Sequence, residues 1–148
     1  MYLIDASRPE DVQVEAPVCG RRFVCLLAWD ASGAAVEAVE ALAHRLLNAG
    51  CVYICCWGPG CSRVHDIFDE VDIERAPDGP IVMSTWHEDE PLADALWFML
   101  FNAHPVDALS DDCRSAVGLS VGSAEWAATI RSAMADPKTF NDQMLESE

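Results

Sequence analysis

Residues 51–71 read CVYICCWGPGCSRVHDIFDEV, and this stretch decides the fold. Its first seven residues, Cys51 to Trp57, form an unbroken apolar run, the pattern of a strand buried on both faces. Gly58-Pro59-Gly60 turns the chain. Val64, Ile67, Phe68 and Val71 then recur at helical spacing, with Asp69, Glu70, Asp72 and Glu74 as the wet side. A buried strand, a tight turn and an amphipathic helix make one unit of a parallel α/β sheet.

The same pattern extends to both sides. Upstream, RFVCLLAW (22–29) reads as a buried strand, and Asp30 or Ser32 is placed to cap the helix that follows. That helix carries Val36, Val39, Ala43, Leu46 and Leu47 on one face and ends at Gly50, predicted to be left-handed. Downstream, PIVMSTW (80–86) is a third strand. Glu90-Pro91 opens a third helix through LADALWFMLFNAH, and 107–114 is looser. AVGLSV (116–121) is a weaker fourth strand, and Ser123 caps a last helix, AEWAATIRSAM. Residues 1–20 read as an irregular arm, although MYLI (1–4) suits an edge strand, and 137–148 read as a flexible tail.

The pattern predicts one α/β domain over 1–148, a small three-layer sandwich of about four mostly parallel strands joined by right-handed crossovers. At the level of fold it resembles the flavodoxin-like or Rossmann-like class, a plan that carries no function with it. Trp29, Trp57 and Trp86 each close a strand, 28 and 29 residues apart, and so should gather at the carboxyl edge, where α/β sheets bind ligands.

Composition bounds the function. Twenty-five acids face nine bases, a net charge of −16, which repels nucleic acid and anionic membrane and favours a basic protein partner. No apolar run is long enough to span a membrane and the acidic start is unlike a signal peptide, which predicts a cytoplasmic protein. Seven cysteines, an odd number and mostly in strand-like runs, argue for core thiols rather than a disulfide framework.

The candidate site is the carboxyl edge. It gathers Asp30 and Ser32, Gly58, Gly60, Cys61 and Ser62, then His87, Glu88, Asp89 and Glu90, and Ser120, Gly122 and Ser123. Gly58, Gly60 and Ser62 open a helix and could cradle an anion, although they match neither a Walker loop nor the dinucleotide glycine fingerprint. Cys61 lies at that helix start, where a thiolate is favoured, with His65 one turn on, and His87 stands beside three carboxylates. Cys61, His65 and His87 are therefore the candidate catalytic groups. Each also has a plain structural account as a packed corner or a helix-start loop. Cys56 resembles the strand-ending nucleophile of low-molecular-weight phosphatases, but six residues rather than five separate it from Arg63. Cys56, Cys61 and His65 match zinc spacing loosely, and neither a metal nor a cofactor is expected.

The third helix is apolar nearly all round. Trp97, Phe98 and Phe101 add a second stripe that suggests an interface, in a homodimer or with another protein. Two functions remain. One is a non-catalytic, acidic protein acting by contact, as an immunity or antitoxin-like protein does against a basic partner. The other is a small enzyme using Cys/His chemistry, or an anion or nucleotide ligand, at the carboxyl edge.

Overall fold

Cys51–Trp57 is a buried strand, and Cys61 begins a helix directly after the Gly-Pro-Gly turn. The computed structural model describes residues 1–14 and 22–147; Cys19 and part of the expected N-terminal arm lie outside them. Strands β1 (Tyr2–Ala6), β2 (Arg22–Trp29), β3 (Cys51–Trp57), β4 (Met83–His87) and β5 (Cys113–Val121) form one sheet in the order β1-β5-β2-β3-β4. Every neighbouring pair is parallel. The helices are α1 (Val36–Ala49), α2 (Cys61–Arg75), α3 (Leu92–Phe101), the short α4 (Asp107–Ser110), α5 (Ala124–Ala135) and α6 (Pro137–Glu146).

The chain steps outward from β2 through β3 to β4, then returns to set β5 on the other side of β2. Right-handed crossovers therefore place α1 and α2 on one face and α3 on the other, where α5 packs beside it. The strands alternate to match. Phe23, Cys25 and Leu27 of β2 pack with Leu42 and Leu46 of α1 and Phe68 of α2. Val24, Leu26 and Ala28 pack with Leu96 and Met99 of α3 and Ile130 of α5. Complete burial of a leucine such as Leu42 or Leu46 is worth about 2 kcal/mol.

Several expectations change. Among the described residues there are five strands, because β1 adds an edge beside β5, with Tyr2 level with Val117. β4 starts at Met83, three residues later than the apolar run implies, and β5 starts earlier, at Cys113. Neither Asp30 nor Ser32 caps α1. The Asp30 carboxylate instead accepts from the Ser32 amide (3.1 Å) and hydroxyl (2.6 Å), and Ala35 precedes the helix without a side-chain cap. The segment read as a flexible tail is α6, whose start is capped by Asp136 accepting from the Thr139 amide at 3.1 Å. Gly50 is left-handed (φ 116°) and Ser123 caps α5, both as the residue types dictate. Among the described residues no helix is long and apolar enough to cross a membrane.

Candidate functional site

The switch in strand order falls between β2 and β5, where Trp29 stands level with Val121. Its polar groups serve the fold. The buried Ser120 donates to the Ser123 carbonyl (2.9 Å), and Ser123 Oγ accepts from the Trp126 amide (3.1 Å). The open clefts of the carboxyl edge lie further out, over β3 and β4.

The β4–α3 turn builds them. Asp89 takes a left-handed backbone (φ 59°), and this folds residues 87–90 so that the Glu90 carboxylate meets His87 Nδ1. The Thr85 hydroxyl lies 2.8 Å from Nε2 of the same ring. Phe98 of α3 packs on His87 at 5.1 Å between centroids and on Tyr53 at 6.1 Å. His87 is thus buried, held at both nitrogens and covered on one face. Trp57 Nε1 donates to the Glu90 carbonyl at 2.8 Å, which pins the turn to the end of β3. One cleft, of about 360 Å³, runs between Trp57-Gly58-Pro59-Gly60 and His87-Glu88-Asp89-Glu90. A second, of about 400 Å³, lies on the other side of His87 and Glu90, against Asp94, Trp97 and Phe98 and reaching Met144 and Ser147 beyond α3.

The expected catalytic residues do not form one set. His65 Nδ1 lies 2.9 Å from Asp66 Oδ1 and Nε2 lies 3.4 Å from Asp69 Oδ2, and the ring packs on Trp86 at 4.6 Å. It therefore turns toward β4 on the α2 face, whereas His87 lies on the α3 face. Cys61 is buried against the loop. Burial pushes its thiol above the ordinary value, the His87 main chain pulls it down, and the Glu88 carboxylate adds to the rise. Burial likewise holds the Cys56 thiol far above its ordinary value. The helix-start effect on Cys61 is outweighed by desolvation.

Gly58 and Gly60, expected in an anion loop, do line the first cleft, but Glu88, Asp89 and Glu90 face them across it, and Ser62 is not among the lining residues. Three carboxylates repel an anion. Trp29 and Trp57 close their strands as expected. Trp86 stops one residue short, since His87 stands level with Trp57, and it points outward. Sequence reasoning missed Thr85 and Phe98 as partners of His87. A period-two reading of β4 places Thr85 and His87 on one face, but the expected strand ended at Trp86 and left His87 in the loop.

Trp97, Phe98 and Phe101, the expected interface, are half-buried within the chain. Phe98 serves the site. Trp97 donates to Asn141 Oδ1 of α6 at 2.8 Å, so part of the cover expected from another chain comes from α6.

Residues 2–137 match the model of a family described as a domain of unknown function, DUF7684. The chain belongs to the DUF7684 family. No curated protein and no solved structure matches it. In this DUF7684 chain the first cleft lies wholly within the matched span, whereas the second is completed by Met144 and Ser147 beyond it.

Proposed function

We propose that this DUF7684 protein is a non-catalytic binding protein that acts by contact with a basic partner, with the acidic cleft at the ends of β3 and β4 as the contact surface. The arrangement of charge carries the reading. Among the described residues the first cleft presents Glu88, Asp89 and Glu90 and is lined by no lysine or arginine. Elsewhere four of the arginines bond the chain itself. Arg22 donates to the Ala108 and Asp111 carbonyls, Arg45 to Pro9 and Val12, Arg63 to Ala31 and Ala34, and Arg75 to Leu47. Four of the nine bases are thus tied to main-chain oxygens, and the surface keeps its acidic excess. Such a field speeds encounter with a cation-rich surface and selects against anionic ones.

The test is a titration with a lysine-rich peptide, followed by tryptophan fluorescence at low and high salt. The expected result is saturable binding that weakens with salt. The double substitution Glu88→Gln, Asp89→Asn should weaken it about tenfold, a loss of about 1.4 kcal/mol. The same charge removed remotely, by Glu37→Gln with Asp78→Asn, should change it much less. Equal effects of the two pairs would overturn the cleft as the contact surface.

A second reading, a small hydrolase at the same edge, is favoured by the contact chain Glu90–His87–Thr85, a carboxylate, an imidazole and a hydroxyl in series. Thr85 lines neither cleft, which weighs against it as a nucleophile. Labelling of Thr85 by a fluorophosphonate, lost on denaturation, would establish this reading in place of the first.

A further inference from the structure

We infer that the free edge of β4 docks an extended segment of a partner protein, one alternating lysine or arginine with apolar residues, which joins the sheet as an added strand. The inference rests on the contact function proposed above and extends its surface from the acidic cleft along the edge of β4.

Among the described residues β4 pairs with β3 on one side and ends the sheet on the other. Edge strands are ordinarily blunted by lysine, proline or a bulge, because their open amides and carbonyls recruit other chains. Met83–His87 reads MSTWH and carries none of these. Apolar exposure concentrates there. Seven large hydrophobic side chains are exposed among the described residues, and four of them adjoin this edge: Ile73 (64%), Ile81 (67%), Met83 (37%) and Trp86 (50%). A groove of about 290 Å³ runs beside the strand, lined by Ile73, Ile81 and Met83 together with His65, Asp69 and Asp72. His65 continues the groove to Trp86, its ring packed at a tilt against the indole. Strand addition draws affinity from main-chain pairing and specificity from alternate side chains, which is the form of site this edge offers.

Charge selects the occupant. Asp69 lines the groove from α2, Asp66 adjoins its His65, and Glu88 and Asp89 stand where a strand added along β4 would end. A second copy of the chain brings the same acids and a net charge of −16. Two-fold pairing of β4 with its copy would also set the two α2 helices side by side on one face, with Asp66 and Asp69 toward their counterparts. A basic, partly apolar strand meets the same surface with opposite charge.

The experiment titrates isotope-labelled protein with a ten-residue peptide of alternating lysine and valine, and with the same peptide N-methylated at alternate amides. The expected result is slowed amide exchange across Met83–His87, altered Trp86 emission, and binding at least about tenfold weaker for the N-methylated peptide. Trp86→Arg, at an exposed position, should keep the melting temperature and weaken binding by a similar factor; Met83→Lys serves if that variant does not fold. Equal binding of both peptides, with changes confined to Glu88 and Asp89, overturns edge docking and leaves the contact function standing. No salt-dependent binding of either peptide overturns both. A concentration-dependent dimer that Trp86→Arg abolishes would make the edge a self-contact and also overturn the inference.

Discussion

Gly58 and Trp29 meet so closely that a Cβ on Gly58 would stand 2.3 Å from the Trp29 carbonyl oxygen, and Gly58 is also left-handed, with φ 112°. The Gly-Pro-Gly turn is therefore the weld between the ends of β2 and β3. Across it the Ala31 amide donates to the Pro59 carbonyl at 2.9 Å. Gly58→Ala should cost about 2 kcal/mol or more, from strain plus backbone clash. Gly33→Ala, where nothing lies within 4 Å of the added methyl, should be nearly neutral. Urea midpoints of the two variants check this, and similar midpoints would show that the turn can relax.

The thiols predict a pH response. Burial pushes Cys55 up to about 12 and raises Cys51, Cys56 and Cys61 as well. In the unfolded chain these groups ionise near 9.0. The folded state then holds more protons above that value, so the stability they contribute is complete below it and is lost as pH rises toward 12. Stability should be insensitive to these thiols near pH 7 and fall steeply in alkali. Iodoacetamide should label Cys61 slowly near neutrality. Labelling at the rate of an unfolded thiol would show an activated cysteine.

The sheet was legible because β2 from Phe23 onward and all of β3 are apolar, which parallel strands buried on both faces require. Gly50 and Ser123 were legible because their roles are local. β4 was misplaced because Pro80-Ile81-Val82 is as apolar as a strand, yet Ile81 is exposed while the Val82 amide donates to the buried Asp72 at 3.0 Å. α6 was missed because its apolar stripe is thin and its partner, Trp97, is remote in sequence. Cys61 looked activated because a helix start is visible in sequence and the burial opposing it is not.

Trp97 and Asn141 join α3 to α6 through one hydrogen bond of 2.8 Å. Asn141→Leu removes the acceptor while keeping bulk, and should cost about 1 kcal/mol. It should also shift Trp97 emission. If Trp97 anchors another chain instead, the variant should alter oligomeric mass and leave stability unchanged, which native mass spectrometry alongside urea unfolding distinguishes.

His87 and Glu90 supply the sharpest internal test, because the same turn offers a control. Glu90→Ala leaves the buried Nδ1 of His87 without its partner, and an unsatisfied buried group costs about 1–3 kcal/mol. Glu90→Gln retains an oxygen that can accept from Nδ1–H and should cost less. Glu88→Ala, two residues earlier in the same turn and exposed, should be nearly neutral. Trp57 reports on whether the turn itself has moved, since its indole donates to the Glu90 main chain and none of these substitutions removes that carbonyl. The expected pattern is a stability order of Glu88→Ala, Glu90→Gln, then Glu90→Ala as the least stable, with Trp57 emission unchanged throughout. Equal stability of all three would mean that Glu90 does not hold His87, and the acidic cleft would then lack a fixed wall.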